Sequence, residues 1–332
     1  MKPEVNNPEI GEKRKSPFKS GALQQILAFA SLIVLLLFFS IASPNFFEWS
    51  NLMNILLSTS VIGILALGTT FVIITGGIDL SVGTAMTLTS VMTGVFITFW
   101  GVPTLLGVFL GILSGGVAGL LVGSAVAKMK IPPFIATLAM MMIAKGLALV
   151  ISGTKPIYFT DSPGFTDIAL GTMIPGVDIP NAVLIFFLMA IVGYIILNKT
   201  AVGRYTFAIG SNEEATRLSG VNVDRWKIII YSIAGLFTGI AGVLMAARLN
   251  SAQPALGMGY ELEAIAAVVI GGTSLSGGKG TMVGTVIGAL IMSVLTNGLR
   301  ILSVPQEWQT VVVGFVVILA VYADILRRSK AK

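Results

Sequence analysis

Residues 53–83, MNILLSTSVIGILALGTTFVIITGGIDLSVG, contain the pattern that decides the fold. The first 23 of them, 53–75, carry no charge. A helix that spans a bilayer needs roughly 20 mostly apolar residues, because backbone groups in lipid must bond within their own segment. Two glycines, Gly76 and Gly77, end the run shortly before the charged Asp79. The stretch therefore predicts a transmembrane helix that stops at a glycine-rich turn.

The rest of the chain repeats this arrangement of long apolar runs between short breaks. Of 332 residues, 55% are hydrophobic and 11% are charged, and the mean hydropathy is +0.92, which exceeds what one soluble core could bury. We predict an all-α, polytopic membrane protein with about ten transmembrane helices. The runs are 23–42, 53–75, 84–100, 103–127, 134–152, 181–197, 228–247, 261–274, 282–302 and 306–326. The eighth has only 14 residues.

Basic residues predict the orientation of these helices, because cytoplasmic loops of membrane proteins collect Lys and Arg. With both termini inside, 17 of the 21 basic residues fall in inner segments. We therefore expect cytoplasmic tails at 1–22 and 327–332, a transmembrane domain at 23–326, a cytosolic loop at 203–225 and an outer loop at 153–180. The net charge of +6 follows from this topology, so membrane lipid is an expected partner and nucleic acid is not.

The composition limits the chemistry that the chain can perform. It contains no His and no Cys, which removes imidazole bases, thiolate nucleophiles, the usual zinc sites and disulfides. We expect no catalysis, no metal site and no cofactor. The stretch 272–281 resembles a phosphate-binding loop, but Thr273 stands where that motif needs Gly and Gly280 where it needs Ser or Thr. The chain itself is therefore not expected to bind nucleotide.

The longest polar segment on the predicted inner side is Gly203–Lys227, GRYTFAIGSNEEATRLSGVNVDRWK. Asn212 is a good helix cap, and two acidic residues follow it at the positive end of a helix dipole. Gly220 stands where such a helix would stop. We predict a short cytosolic helix here. Because connections between packed helices need only a few residues, this capped insertion favours an interaction role over an ordinary loop.

Three stretches resemble the membrane permeases of ABC importers, in particular those for ribose, xylose, galactose and related sugars. EATRLSG at 214–220 resembles the Glu-Ala-Ala-x-x-x-Gly motif through which such permeases contact their ATPase subunits, with Thr216 in place of the second Ala. Gly76–Gly83 and Ala208–Asn212 resemble segments of the sugar permeases. The resemblance extends over nearly the whole chain after its first membrane run.

The resemblance implies a type II ABC importer permease fold, similar to that of the vitamin B12 importer, in the bacterial inner membrane. It implies an ATP-binding cassette ATPase subunit, an external sugar-binding protein that is periplasmic or lipid-anchored, and a second permease copy in a homodimer. The chain would translocate a monosaccharide, with ATP hydrolysed by its partner. The residues expected to contact the ATPase are Gly210, Asn212, Glu213, Glu214, Ala215, Thr216 and Gly220.

The glycine-rich turn after the second run has a counterpart late in the chain. Gly271–Gly278 repeats the pattern Gly-Gly-x-x-Leu-Ser-x-Gly of Gly76–Gly83, 195 residues later and at the same predicted inner face. Paired glycines let backbone segments pack closely. Both a shared structural role and a chance match stay open. The residues singled out in these helix breaks are Gly76, Gly77, Asp79, Ser81, Gly83, Gly271, Gly272, Ser276 and Gly278.

Ionisable residues within the apolar runs are functional candidates, because an unpaired charge in lipid is costly. Lys145 lies deepest within a run and is a possible pathway residue. Asp79, Glu261 and Asp324 lie near predicted ends, where we expect water or headgroups to solvate them. Arg300, near an outer end, is expected to anchor its helix at the membrane surface.

Two other functions stay open at this point. An ion-coupled secondary carrier needs ionisable groups inside the membrane, and here such groups are few and peripheral. ABC permeases for branched-chain amino acids have a layout similar to that of the sugar permeases. The stretches Gly76–Gly83 and Ala208–Asn212 favour sugar as the cargo.

Overall fold

The computed structural model describes residues 17–174, 176 and 178–329, and these form a helical bundle. The helices are α1 Pro17–Ala42, α2 Trp49–Ile74, α3 Val82–Gly94, α4 Thr104–Ala127, α5 Pro133–Ser152, α6 Asp167–Leu170, α7 Asn181–Lys199, α8 Ala201–Ser211, α9 Glu213–Leu218, α10 Val223–Leu249, α11 Tyr260–Ile270, α12 Met282–Ile301 and α13 Gln306–Ser329. A π-helical turn, Val95–Phe99, continues α3. Two short strands, β1 Ile157–Tyr158 and β2 Ser251–Ala252, pair antiparallel. The predicted all-α class is confirmed.

Nine helices in the described ranges are long and apolar enough to cross a membrane. They are α1, α2, α3 with its π-helical turn, α4, α5, α7, α10, α12 and α13. The prediction of a polytopic membrane protein is therefore confirmed, with one difference. The eighth predicted run, 261–274, forms only the 11-residue helix α11. At 1.5 Å per residue α11 is roughly 16 Å long, about half the thickness of the hydrocarbon layer.

The segment before α11 enters the bundle and packs between other helices, so α11 begins inside the protein. After α10 ends at Leu249, the chain descends until Gly257 packs against Gly83 in the first turn of α3. A Cβ on either glycine would overlap the backbone carbonyl of the other. From there α11 runs to the beginning of α12, where Gly271 packs against Gly284. A short helix with a glycine contact at each end thus replaces a full span.

The centre of the bundle is α2. Every residue from Val61 to Ile74 is buried, and the helix contacts α7, α10, α11 and α12. The peripheral helices α1, α4, α7 and α13 instead expose many large apolar side chains. Such faces suit lipid, which is as apolar as the side chains themselves. Close packing of helices, more than exclusion of water, therefore has to hold α2 in place.

Facing glycines join α4 to α10 along much of their length. Gly115 and Gly119 of α4 lie against Gly235 and Gly239 of α10, at the four-residue spacing typical of closely packed membrane helices. A Cβ on Gly119 would overlap the carbonyl of Tyr231. The two backbones are therefore in direct contact, with no side chain between them.

We expect Gly119→Ala to destabilise the folded chain, because the added methyl group meets backbone that cannot rotate away. Overpacking of this kind costs about 1–3 kcal/mol, and the melting temperature of the protein in detergent should fall. Gly146→Ala in α5 is the matched control, since nothing lies within 4 Å of its added Cβ. Ala is favoured over Gly inside a helix, so the control should melt at or above the wild-type temperature. Equal melting of both variants would contradict the packing described here.

Candidate functional site

The predicted cytosolic helix is α9, which a single residue, Asn212, separates from α8. The Asn212 side chain accepts a hydrogen bond of 2.9 Å from the Ala215 N–H, as an N-cap residue does. Gly220, after the helix, has a φ of +83°, which favours glycine. The prediction of a short capped helix is confirmed. The stretch expected to be a loop at 203–225 is, however, mostly helical, because α8 precedes α9.

Four linked ion pairs lie at α9, and two of them join it to α10. Glu213 accepts a hydrogen bond from Lys227 of α10 at 2.7 Å and pairs with Arg217 at 3.3 Å. Arg217 also reaches Asp224 at 3.1 Å, and Asp224 binds Lys130 of the α4–α5 connection at 2.8 Å. The hydrogen bond to Asp224 raises the pKa of Arg217 above its usual value, so the guanidinium stays charged. Each exposed pair contributes little alone, but together they set the orientation of α9.

This network leaves one face of α9 free. Glu214 and Ala215 are exposed, and Leu218 is 82% exposed. Thr216 lies on the opposite face, where it is buried and its hydroxyl donates to the Asn212 carbonyl at 2.8 Å. The departure of Thr216 from the permease motif therefore leaves the exposed face unchanged.

Beside this face, α8 and α9 border a concavity of about 460 Å³. Its walls include Arg204, Tyr205 and Ala208 of α8, and Ala215, Thr216 and Ser219 in and after α9. A concave surface that combines apolar and charged side chains is suited to docking a protein partner.

Near the end of α8, Gly210 brings this segment into contact with both glycine-rich helix breaks. A Cβ on Gly210 would overlap the carbonyl of Ile74, the last residue of α2. The Gly278 N–H donates to that same carbonyl at 2.8 Å. Gly277, with a φ of +82°, packs against the Gly210 carbonyl and the Gly76 N–H. We term this contact of Ile74, Gly76, Gly210, Gly277 and Gly278 the glycine junction.

The two breaks with the repeated sequence pattern therefore meet in space. The Ser276 carbonyl lies 3.8 Å from the position of a Cβ on Gly76. Gly271, the first residue of the second break, packs against Gly284 of α12. Gly272, which follows it, has a φ of +93°. Gly77 packs against the Tyr231 side chain. This proximity supports a shared structural role for the two patterns over a chance match.

Asp79 and Ser81 form the start of α3 inside the protein. Asp79 is only 5% exposed, and its Oδ1 accepts hydrogen bonds from the Ser81 N–H at 2.8 Å and the Ser81 hydroxyl at 2.6 Å. The expectation that water or headgroups solvate Asp79 is wrong, because α3 begins below the protein surface and its positive end faces the carboxylate. The same expectation is wrong for Glu261, which is 7% exposed and accepts from the Gly259 N–H.

Three further polar residues lie outside the ion-pair network. Tyr231 of α10 is 1% exposed, and its hydroxyl has no hydrogen-bond partner within the described chain. Asp324 of α13 accepts a hydrogen bond of 3.4 Å from the Leu275 N–H in the second helix break. Lys145 is half-buried on α5 and makes no hydrogen bond or ion pair with the described residues. The sequence patterns gave no signal for Tyr231, since a tyrosine in an apolar run is ordinary.

Known proteins resemble this chain over most of its length. Residues 51–321 match the family described as branched-chain amino acid transport system, permease component. The ribose import permease proteins RbsC of Escherichia coli K12 and Bacillus subtilis 168 are each 44% identical, over 92% and 95% of this chain and 95% and 97% of their own lengths. The fructose import permease protein FrcC of Rhizobium meliloti is 38% identical, over 88% of this chain and 84% of its own length. No solved structure matches the chain.

These relatives decide between the functions that the sequence left open. They are named as sugar import permeases, and they support neither an ion-coupled carrier nor an amino acid permease. The family description names branched-chain amino acids, in keeping with the layout that sugar and amino acid permeases share. The chain therefore belongs to the ribose/xylose-type family of ABC sugar permeases.

Proposed function

We propose that this chain is the membrane permease of an ATP-driven importer for ribose or a related pentose or hexose. The glycine junction carries the proposal, because it joins the segment that contains α9 by backbone contact to α2 at the centre of the bundle. The sugar class follows from the relatives, which are named for ribose and fructose import. A separate ATPase subunit would hydrolyse ATP, and an external binding protein, periplasmic or lipid-anchored, would deliver the sugar.

Alternating access requires that the ATPase and the sugar favour different arrangements of the helices. A force on α9 acts on α8 through the single residue Asn212, and then on α2 where Gly210 touches Ile74. No side chain lies between these two backbones to absorb the movement. The ion pair of Glu213 with Lys227 passes the same movement to α10. Motion of α9 would therefore reach α2 and α10 together.

Glu214→Lys should weaken assembly with the ATPase subunit, because Glu214 lies on the free face of α9. Reversing the charge of a residue that contacts a partner replaces its favourable pairing with an unfavourable one, so we expect a loss of roughly tenfold or more in ATPase affinity. Co-purification of the ATPase and uptake of labelled sugar should both fall, with melting temperature unchanged. Asp161→Lys, an exposed charge reversal in the predicted outer loop, is the control. Normal ATPase binding by Glu214→Lys would reject the coupling role of α9.

The proposed orientation places α9 and both chain termini in the cytoplasm, with α6 outside. The native chain has no Cys, so a single introduced cysteine reports its own side of the membrane. Leu218→Cys should react with a membrane-impermeant maleimide only from the cytosol, and Asp167→Cys only from outside. Both positions are exposed. The opposite labelling pattern would overturn the orientation.

A second copy of the chain is proposed to lie beside α5 and to complete the pathway. α5 exposes large apolar side chains along its length, among them Phe134, Met142 and Val150. Lys145 lies on the same helix without a charged partner in the described chain. Charged groups at such depth in membrane proteins face a bundle interior or a water-filled cavity. An aqueous path between two copies at α5 satisfies this requirement.

Lys145→Leu should then lower sugar uptake several-fold, because it removes a polar group from the aqueous path. Lys145→Arg keeps the charge and should retain most uptake. Neither variant should lower the melting temperature, since Lys145 makes no bond within the described chain. Uptake by reconstituted importer and thermal melting are the two measurements. Wild-type uptake by Lys145→Leu would reject the pathway role.

A further inference from the structure

The candidate coupling helix α9 and the proposed pathway helix α5 pack against different parts of the bundle. α5 packs mainly on α3 and α4, whereas α9 packs on α8 and α10. The glycine junction leads from α9 to α2, and the ion pair of Glu213 with Lys227 leads from α9 to α10. Neither contact leads directly to α5. The segment that does approach α9 is the connection between α4 and α5, residues 128–132.

Asp224, in the first turn of α10, joins this connection to α9. The Lys130 Nζ donates to both carboxylate oxygens of Asp224, each at 2.8 Å. Arg217, in the last turn of α9, donates to the Asp224 Oδ1 at 3.1 Å. One carboxylate thus holds a cation from each element. Arg217 and Lys130 cannot move apart without breaking one of these bonds.

Lys130 has a backbone conformation that is unfavourable for lysine. Its φ is +56°, in the left-handed region where the Cβ atom of any residue except glycine is crowded. Strain of this kind persists only where the surrounding structure imposes it, and it clusters at functional sites. Among the described residues the Lys130 side chain bonds to Asp224 alone. The strained backbone therefore points to a role for this ion pair.

The chain between Lys130 and α5 is short and stiff. Only Ile131 and Pro132 separate Lys130 from Pro133, the first residue of α5. Because proline fixes its own φ, two consecutive prolines leave little freedom to absorb a displacement. α5 also carries Lys145, which we place on the sugar pathway. A movement of Lys130 would therefore reach the helix beside that pathway.

We propose that Lys130 and Asp224 are positioning residues through which movement of α9 reaches the inner end of α5. The inference rests on the proposed function, in which an ATPase acts on α9 and α5 lies beside the sugar pathway. It adds a route that is separate from the glycine junction. Both residues act through other residues and neither contacts the sugar. Without the ion pair, the ATPase still binds and hydrolyses ATP, but α5 no longer follows α9.

The test is the number of sugar molecules imported per ATP hydrolysed, measured in vesicles that contain the complete importer. Lys130→Gln should lower this ratio about threefold, the effect of losing one partly exposed ion pair. Asp224→Asn should lower it at least as far, because it also removes the contact with Arg217. Co-purification of the ATPase and the melting temperature should not change, whereas a purely structural role would change one of them. Lys128→Gln, an exposed charge removal in the same connection, is the matched control.

A covalent link between the two elements separates transmission from charge. The native chain has no Cys, so Lys130→Cys combined with Arg217→Cys provides a single pair of thiols. A flexible bismaleimide can then join the α4–α5 connection directly to α9. The ratio of sugar to ATP should be low before this reaction and should rise toward the wild-type value after it. Lys130→Cys alone, treated with the same reagent, should stay low.

A wild-type ratio in both Lys130→Gln and Asp224→Asn would overturn the proposal, as would a ratio that the crosslink leaves low. Loss of ATPase co-purification in these variants would assign both residues to docking and would also overturn it. Failure of the proposed function gives a different result, because wild-type vesicles would then import none of the sugars tested. Wild-type import with unchanged ratios in the variants rejects the ion-pair route alone.

Discussion

The hydrogen bond of 2.8 Å from the Gly278 N–H to the Ile74 carbonyl is the contact on which the inner half of the bundle depends. Backbone groups inside a membrane protein must find partners within the protein, and the two helix breaks would otherwise leave several unpaired. Ile74 ends α2, so its carbonyl has no partner in its own helix. Gly210 permits α8 to cross at this point, since any side chain there would fill the space of that carbonyl. The Leu275 N–H finds the Asp324 carboxylate in the same way.

The same contact places the candidate coupling helix. Because Gly210 is held against Ile74, the end of α8 is fixed, and the position of α9 then depends on the backbone dihedral angles φ and ψ at Asn212. The ion pairs of Glu213 and Arg217 then fix the rotation of α9. What remains exposed is the face with Glu214 and Leu218. A surface built in this way is rigid toward the bundle and open toward a partner, which is what transmission of force requires.

Features with a local cause were predictable from the sequence. Uncharged runs predicted the long helices, and the Asn212 cap with Gly220 predicted α9. The repeated glycine pattern predicted two breaks at one face, but the position of Gly210 between them is set by tertiary packing over long sequence separations. The expectation that Asp79 is solvated was wrong for a related reason. Hydropathy locates a residue along a membrane span, but it does not show that α3 begins inside the protein. α11 drew attention only by its short run, since the descent at Gly257 has no apolar signature.

α11 connects the inner half of the bundle to its outer half, and with 11 residues it is shorter than any of the candidate membrane spans in the described chain. The inner end of α11 leads directly into the break that carries Gly277 and Gly278, and its outer end carries Tyr260 and Glu263. Gly271 at its inner end packs against Gly284, Gly257 before its outer end packs against Gly83, and its buried side chains pack between α2 and α12, so α11 follows any movement of those helices. A partner acting through the glycine junction would therefore act on α11 as well as on α2. Where the ATPase and the sugar favour different arrangements of these helices, linkage makes the effect reciprocal: the ATPase changes the affinity for sugar, and bound sugar changes the affinity for the ATPase by the same factor.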